Sequence, residues 1–419
     1  MQMESTQQCA QSLDSQDQLA KYRSQFFMPP GKTRAEQLYF TGNSLGLQPK
    51  SVVDYIQQEL DDWKKYGVEG HFHGENPWFS YHHFFEKEAA VVGAKKEEVV
   101  VMNNLTVNLH LLLVSFYRPT KSRYKIIMED GAFPSDMYVI ESQVKHHGYK
   151  YDNAVIELKP REGEHHLRTE DIESAIQETG DELALLFFSG VQYYTGQAFD
   201  IEKLTKSAHS VGALAGFDCA HAAGNVKMQL HDWNVDFAAW CTYKYMNSGP
   251  GGVSGVFVHE RHGNNPETPR FAGWWGHKES ERFQMKRGFI PEPGAAGWQL
   301  SNAPVLTMAA HKASLDMFHE VGMDALVEKG GKLNAFLEQV VIDAQESNDK
   351  LEFEIITPEE RGCQLSMLTN ENGKALFDYL TENDVIADWR EPNVIRLAPV
   401  PLYNSFMDVW KFGELLKGF

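Results

Sequence analysis

Lys244 has the sequence context of a reactive amine. It follows an apolar segment, residues 237–242, that is predicted to be a strand, and it precedes the turn Gly249-Pro250-Gly251-Gly252. Burial at the end of such a strand lowers the pKa of a lysine and makes its amine a nucleophile. The glycines allow a tight turn and a close approach of the backbone to a ligand.

Asp218 ends a second apolar segment, residues 213–218, and stands 26 positions before Lys244 (244 minus 218). A carboxylate buried there is unfavourable unless a cation faces it. A protonated pyridine nitrogen would be such a cation and would keep a ring electron-deficient. His221 would then flank the ring. Considered alone, Asp218 is equally well explained as a helix cap or supporting acid, and a lone lysine after a strand is usually a surface residue.

Two further segments offer contacts to a phosphorylated, flat cofactor. Residues 104–106 (Asn-Leu-Thr) open a predicted helix, where free N–H groups, the Thr106 hydroxyl and the helix dipole would hold a phosphate. A plain helix cap is the alternative there. Phe133 in the segment 133–136 (Phe-Pro-Ser-Asp) could stack on a ring while Asp136 accepts a hydrogen bond from it. A turn with a solvated aspartate is the alternative for this segment.

These residues require a sheet whose strands end at a common edge. Between about residues 99 and 259, short apolar segments alternate with longer amphipathic ones, which is typical of an α/β fold with a mostly parallel central sheet flanked by helices. Ligands of such sheets bind beyond the carboxyl ends of the strands, where the residues above are predicted to lie. The predicted strands are residues 99–103, 124–128, 154–158, 183–189, 213–218, 237–242 and 253–258, preceded by an amphipathic helix at 51–66.

The segment after about residue 302 predicts a second, smaller α+β unit. Its predicted helices are residues 309–320, 323–344 and 374–382, and its predicted strands are residues 353–356, 364–368 and 394–398. We therefore expect a large cofactor-binding domain of residues 52–300. A small domain would combine residues 1–51 with residues 301–419.

Composition narrows the class of ligand. The chain has 39 Lys+Arg against 58 Asp+Glu, a formal net charge of -19, which repels nucleic acid and anionic membranes and favours a small-molecule ligand. Four cysteines without CxxC spacing indicate a reducing compartment. Neither a signal-peptide core nor an apolar run of about 18 residues is present. We expect a cytoplasmic protein without a metal, since His71 and His73 lack a third ligand at suitable spacing.

The order and spacing of these residues resemble the fold type I pyridoxal 5'-phosphate (PLP) enzymes of the class V aminotransferase group, and among them the kynureninase family. The resemblance covers roughly residues 13–412. Further segments carry it: Gly42-Asn43-Ser44-Leu45-Gly46, Gly70-His71, Pro77-Trp78, residues 105–110 (Leu-Thr-Val-Asn-Leu-His), Gly273-Trp274-Trp275-Gly276-His277, Ser301-Asn302 and residues 396–405 (Arg-Leu-Ala-Pro-Val-Pro-Leu-Tyr-Asn-Ser). Trp275 and Met407 depart from the family's usual pattern, and Asn302 occupies a position at which members differ.

The resemblance implies a role for each cofactor residue. Lys244 would form the Schiff base, and Phe133 would stack on the ring. The phosphate would be held by Leu105, Thr106, Ser189 and Tyr243, and the polar edge of the ring would meet Asp136, Asp218 and His221, with Pro134 and Ser135 in the same cofactor segment. Trp274 and Asn302 would reach in from the neighbouring subunit of a homodimer, so that each active site lies at the interface.

For the substrate, the resemblance implies that Arg396 binds the α-carboxylate of an amino acid, a task suited to a bidentate guanidinium. Ser44, His71 and Asn302 would line the aryl end of the pocket. The family hydrolyses the Cβ–Cγ bond of L-kynurenine to anthranilate and L-alanine, or of 3-hydroxykynurenine to 3-hydroxyanthranilate and L-alanine. Lys244, once released, would act as base at Cα, and Tyr243 is a candidate proton carrier for the later steps.

Three alternatives stay open. A class V aminotransferase would use the same cofactor residues. A cysteine desulfurase would need a mobile cysteine, for which Cys363 is the one candidate in the C-terminal unit. A silent PLP-fold binding protein is disfavoured because the lysine, both acids and the arginine are present. The preference between kynurenine and 3-hydroxykynurenine, and the choice between tryptophan catabolism and NAD biosynthesis, are left undecided by the sequence.

Overall fold

The structure, a computed structural model, describes residues 4–83 and 85–419. Its strands are β1 (Leu38–Tyr39), β2 (Val99–Met102), β3 (Lys125–Glu129), β4 (Val155–Leu158), β5 (Leu183–Ser189), β6 (Leu214–Asp218), β7 (Phe237–Cys241), β8 (Ser254–Val258), β9 (Phe353–Ile355), β10 (Leu365–Thr369), β11 (Val385–Ile386), β12 (Asp388–Arg390) and β13 (Val394–Leu397). Its α-helices are α1 (Gln7–Ser15), α2 (Ala20–Arg23), α3 (Val52–Tyr66), α4 (Phe85–Val92), α5 (Leu105–Phe116), α6 (Pro134–His146), α7 (Tyr151–Ala154), α8 (Thr169–Thr179), α9 (Ile201–Ser210), α10 (Glu260–Gly263), α11 (Glu279–Arg282), α12 (Val305–Val321), α13 (Met323–Ser347), α14 (Gly373–Glu382) and α15 (Phe406–Lys417).

A seven-stranded sheet forms the centre of the fold, in the order β2-β8-β7-β6-β5-β3-β4. Strands β4, β3, β5, β6 and β7 run parallel, and β8 is antiparallel to both β7 and β2. Helices cover the sheet and bury its strands, which accounts for their continuous apolar sequences. The predicted mostly parallel α/β fold is confirmed, and each of its seven predicted strands lies within one residue of an observed strand at both ends.

A smaller antiparallel sheet, β12-β13-β10-β9, packs with α13, α14 and α15 around a second apolar cluster. The predicted strands and helices of this unit are present, and β12 and α15 were not predicted. Helix α15 begins with a capping box between Ser405 and Asp408. Helix α12 packs on α3 and α4, while α13 packs on α15. The boundaries of the two predicted domains stay a prediction.

The N-terminal segment connects the small sheet region to the lysine loop. Strand β1 pairs in parallel with β11, and Thr41 bridges to Ala398 just beyond β13. Farther along, the Gly46 N–H donates to the Tyr243 carbonyl at 2.8 Å. A Cβ on Gly46 would lie 2.2 Å from Asn247 Oδ1 and 2.4 Å from the Lys244 carbonyl oxygen. Only glycine allows this approach without displacing the loop.

The helices in the part of the chain that the structure describes are too short or too polar to cross a membrane.

Candidate active site

A cavity of about 390 Å³ lies where the parallel strands end. Strands β3, β5 and β6 end at Glu129, Ser189 and Asp218, and Lys244 follows the end of β7 by three residues. This is the edge at which α/β sheets bind ligands. The predicted site residues that line the cavity are Leu105, Thr106, Phe133, Ser135, Asp136, Ser189, Asp218, His221, Tyr243 and Lys244.

Two buried carboxyls, Asp136 and Asp218, face each other in this cavity. Ala220 donates its N–H to Asp218 Oδ1 at 2.7 Å, whereas Asp136 Oδ1 has no hydrogen-bond partner among the described residues. Burial raises the pKa of both acids, and the negative charge of Asp218 raises that of Asp136 further. The charge of Lys244 lowers the pKa of both acids but does not offset their burial, so the pair has room for the further cation that was predicted.

His221 is buried against the same wall. Its Nδ1 has no partner among the described residues, and its carbonyl accepts from Asn225 Nδ2 at 2.8 Å. Burial, and then the charge of Lys244, lower the pKa of His221 well below its usual value. The ring is therefore neutral at physiological pH and can donate or accept one hydrogen bond at the cavity edge.

Phe133 follows β3 and Lys244 follows β7, and their side chains approach each other across the cavity. The Lys244 Nζ lies 5.7 Å from the centroid of the Phe133 ring. Phe133 is 41% exposed, unusual for a large apolar side chain beside a buried sheet, and the edge-on contact with Tyr193 at 5.2 Å holds its ring. An aromatic face is thus available to a flat ligand beside the amine.

The cavity ends at the N-terminus of α5. Asn104 precedes this helix, but its side chain does not cap it and instead donates to the Gly251 carbonyl at 3.2 Å. The Thr106 and Ser135 hydroxyls lie 2.6 Å apart at the same end. Uncapped N–H groups, the helix dipole and two hydroxyls together suit an anion, so the alternative of a plain Asn104 cap does not hold.

Glu129 is a site residue that the sequence reasoning missed. It ends β3 with 2% of its surface exposed and accepts from the Ser189 hydroxyl and from the Ser189 N–H at 3.2 Å. Burial raises its pKa to about 7. The signal was available, because an acid closing an apolar strand is the feature that pointed to Asp218, but the predicted strand ended one residue too early. Tyr193, also missed, sits in a loop without a recognisable motif.

Arg396 lies outside the cavity lining, behind Tyr193. It is 1% exposed on β13, where it pairs with Asp388 of the neighbouring strand and donates from Nη1 to the Tyr193 carbonyl at 2.6 Å. Its Nε has no partner among the described residues. Binding of a carboxylate by Arg396 stays a prediction.

The other predicted residues also lie away from the cavity lining. Ser44 donates its N–H to the Thr41 carbonyl, and His71 Nδ1 lies 2.8 Å from the Val68 carbonyl oxygen. Pro134 is the first residue of α6. Trp274 is 41% exposed, and Asn302 is exposed on a second cavity of about 400 Å³. That cavity adjoins the first, because Asn104 and Gly251 line both.

One cluster outside the site has metal-binding residue types. Glu98, His231 and His259 bring a ligand atom each within 4.8 Å of one another. The Glu98 carboxylate already accepts from the N–H groups of Lys95 and Glu260, and His231 Nδ1 lies 2.9 Å from it. These contacts explain the cluster as a hydrogen-bonded support at the turn before β2. It does not include His71 or His73.

Comparison with known proteins relates the chain to a protein family. A family model described as class V aminotransferase matches residues 38–366, and one described as the kynureninase C-terminal domain matches residues 326–416. A kynureninase of Flavobacterium psychrophilum is 55% identical over 99% of this chain and 98% of that protein. A kynureninase of Flavobacterium johnsoniae is 56% identical over 100% and 99%, and one of Nematostella vectensis is 47% identical over 97% and 92%.

Solved structures support the fold. The apo structure of a cysteine desulfurase from Thermococcus onnurineus NA1 superposes with a TM-score of 0.74 at 19% identity, covering 95% of this chain and 97% of that one. The cystine C–S lyase C-DES with cysteine persulfide gives 0.77 at 14% identity, covering 92% and 98%. At such identities these structures are evidence for the fold alone. The full-length sequence similarity goes further: the chain belongs to the kynureninase family.

Proposed function

We propose that the enzyme hydrolyses the Cβ–Cγ bond of L-kynurenine, of 3-hydroxykynurenine, or of both, to L-alanine and the corresponding anthranilate. The observation that carries the proposal is one cavity that holds an amine, an aromatic face, two acids whose pKa values are raised by burial and an anion-binding helix end. The enzyme depends on PLP, whose protonated ring stores the electrons released when bonds at the substrate Cα break.

The residues of the cavity fit this cofactor. The unpartnered Asp136 Oδ1 and the raised pKa values of Asp136 and Asp218 call for a cation, which a protonated ring nitrogen supplies. The N-terminus of α5 with Thr106 and Ser135 would hold the phosphate. Phe133 would cover a face of the ring beside Lys244. Leu105, Ser189 and His221 would complete the set.

Lys244 and Tyr243 would move the protons. The amine of Lys244 would take the proton from the substrate Cα when it is free of the cofactor. Burial and then the neighbouring Cys241 thiol raise the pKa of Tyr243. Its hydroxyl therefore stays protonated at neutral pH, so Tyr243 would act as a proton donor to the leaving carbon rather than as a base.

Arg396 would bind the α-carboxylate of the substrate. Its guanidinium is buried and pre-oriented by Asp388 and by the Tyr193 carbonyl, which leaves Nε for a further acceptor. Ser44, His71 and Asn302 would line the aryl end. A small-molecule amino acid of this kind agrees with the acidic net charge, since recognition then depends on single placed cations.

The proposal includes a homodimer in which Trp274 and Asn302 complete the site of the neighbouring subunit. Neither residue lines the cofactor cavity of its own chain. The segment around Trp274 exposes several large apolar side chains, which is typical of an interaction surface. They are Phe271, Phe283, Met285 and Ile290, exposed by 60%, 53%, 74% and 44%. A cytoplasmic location also belongs to the proposal, since the four cysteines are unpaired.

Anthranilate release tests the reaction. Purified protein with PLP and L-kynurenine, without any keto acid, is expected to produce the fluorescence of anthranilate and one equivalent of alanine. Lys244→Ala should abolish it. A turnover that requires a keto acid and yields no anthranilate would instead identify an aminotransferase. A desulfurase is not favoured, because Cys363 is 1% exposed and burial raises its pKa to about 12, so it is neither mobile nor a thiolate.

Subunit mixing tests the shared site. An inactive Lys244→Ala protein and an Asn302→Ala protein of reduced activity, dissociated together and reassociated, are expected to be more active than the sum of the two alone. Recovery requires one subunit to supply the lysine and the other to supply Asn302. If the mixture stays at the sum of its components while sedimentation shows mixed dimers, each chain supplies its whole site.

A further inference from the structure

Trp275 is held between two charged or polar planar groups. The His82 ring stacks on it at 3.6 Å between centroids with an interplanar angle of 11°. The Arg282 guanidinium lies 4.2 Å from the same ring centroid, and because His82 fills one face, Arg282 must occupy the other. Arg282 also donates to the Trp275 and His277 carbonyls at 3.0 and 2.9 Å. The indole is 2% exposed and has no freedom to rotate.

His82 is itself locked in one tautomer. The Ala303 N–H donates to His82 Nε2 at 3.1 Å, so that nitrogen carries no proton, and Nδ1–H donates to Gln299 Oε1 at 2.6 Å. Burial lowers the pKa of His82 to about 4, which keeps the ring neutral. His82 therefore bonds to the segment 299–303 on both sides of Asn302, at a fixed distance from Trp275.

The indole N–H of Trp275 donates to the side chain of Asn302. An indole nitrogen is a donor only, so the atom that faces it must be the amide oxygen of Asn302, whichever way an amide might otherwise be turned. The Asn302 NH₂ group is thereby directed away from Trp275. Asn302 is exposed on the second cavity, so its NH₂ group is accessible to a ligand held by a neighbouring subunit.

We propose that Trp275 is a positioning residue that presents the Asn302 amide as a hydrogen-bond donor to an oxygen acceptor of the ligands bound in the neighbouring subunit's site. The proposal rests on the role of Asn302 in the proposed function and adds what orients it. The acceptor is a phosphate oxygen of the cofactor or an oxygen on the substrate's aryl end. In either case, removing the indole N–H lets the amide turn over and lose its donor geometry.

A double-mutant cycle tests this coupling. Trp275→Phe keeps an aromatic ring between His82 and Arg282 but removes the donor. We expect it to weaken one ligand by about 2- to 10-fold, the range of a single lost hydrogen bond. In an Asn302→Ala background, Trp275→Phe should have no further effect. Equal effects of Trp275→Phe in both backgrounds would overturn the proposal, because they would mean that Trp275 acts through packing alone.

Two readouts identify the acceptor. The dissociation constant of PLP, measured by fluorescence quenching of the apoprotein, reports a phosphate oxygen. The ratio of kcat/KM for 3-hydroxykynurenine to that for kynurenine reports a ring oxygen. The PLP readout and its cycle are measurable even if the wild-type protein does not cleave kynurenine, so failure of the proposed function and failure of this inference are distinguishable.

Trp298→Phe is the matched control. Trp298 is also 2% exposed, lies under a guanidinium, that of Arg270 at 3.8 Å, and donates to a side chain, Ser115 Oγ at 2.9 Å. Its substitution should lower the melting temperature about as much as Trp275→Phe without changing either readout. If Trp275→Phe folds poorly, Asn302→Ala carries the test, since the side chain is exposed. An Asn302→Ala protein with unchanged PLP affinity and unchanged substrate ratio would overturn the proposal.

Discussion

Buried aspartates lie at both ends of the central sheet, and their pKa values are shifted in opposite directions. Asp236, just before β7, accepts from His209, His262 and Arg261 at 2.7, 2.7 and 2.6 Å and from the Ala215 N–H at 2.7 Å. These contacts hold the pKa of Asp236 below its usual range. At the carboxyl ends of the strands, Asp136 and Asp218 have raised pKa values instead.

The difference shows how a fold separates structure from function. Asp236 is 1% exposed and every donor it needs is supplied by the chain, so the acid stabilises the fold. Asp136 and Asp218 are also buried, but the charge of Lys244, which lowers the pKa of both, does not offset the effect of burial. An unmatched buried acid destabilises the free protein and strengthens the binding of a ligand that carries the missing charge.

Substituting Asp218 should affect catalysis, and substituting Asp236 should affect stability; these are the largest effects that we expect. Asp218→Asn is expected to lower kcat at least about 100-fold with the fold intact, because the ring nitrogen loses its counter-charge. Asp236→Asn is expected to lower the free energy of unfolding by about 3 kcal/mol, since it breaks a buried ion pair, while kcat per folded molecule is retained. Anthranilate kinetics and urea titration measure the two effects. A large loss of kcat in a well-folded Asp236→Asn protein would contradict the comparison.

The stability of the apoprotein should depend on pH in opposite directions through Asp136 and Asp236. The pKa of Asp136 is raised on folding, so its stabilising contribution is complete below the usual value near 4 and is lost as pH rises through the raised value. The lowered pKa of Asp236 acts in reverse: its contribution is present above the usual value and is lost as pH falls through the lowered one.

Asp136→Asn should therefore make the apoprotein more stable than the wild type at pH 8, by about 1–2 kcal/mol, and should weaken PLP binding. Thermal unfolding across pH 5–8, with and without PLP, measures both. A variant that is less stable than wild type at pH 8 without cofactor would show that Asp136 is matched inside the free protein.

The smallest effect that we expect is on PLP binding, from a substitution at the N-terminus of α5. Thr106→Val removes one hydroxyl beside the α5 N-terminus and should weaken PLP binding by about 3- to 10-fold, without altering stability measurably. Thr106→Ser, which keeps the hydroxyl, is the control and should bind PLP like the wild type. Inorganic phosphate should compete with PLP in both. If the two variants weaken PLP equally, the methyl group rather than the hydroxyl matters.

The parts of this molecule that could be predicted from the sequence are those whose signal is local. The strands of the central sheet are continuous apolar segments. Asp218 is the last residue of one and Lys244 lies three residues beyond another, so their order along the chain was enough to predict the site. The start of α15 also has a local signal, since Ser405 and Asp408 have the spacing of a capping box, although this helix was not predicted.

Other features depend on pairings that the sequence does not display. The two-residue strands β1 and β11 exist because they pair with each other across more than 340 positions. Arg396 meets Asp388 only because β12 and β13 are antiparallel neighbours. The position of Asn302 relative to Trp275 likewise follows from the sandwich with His82 and Arg282, which joins three separate segments.

The close approach at Gly46 has a consequence for how the enzyme tolerates change. The segment from β1 to Gly46 is bonded at one end beside Arg396 and at the other to the backbone that carries Lys244. This short segment therefore connects the group that would bind the substrate's α-carboxylate with the group that would take its Cα proton. A methyl group at position 46 would push the lysine loop away from this segment. The spacing between Arg396 and Lys244 therefore depends on a residue that would contact neither cofactor nor substrate.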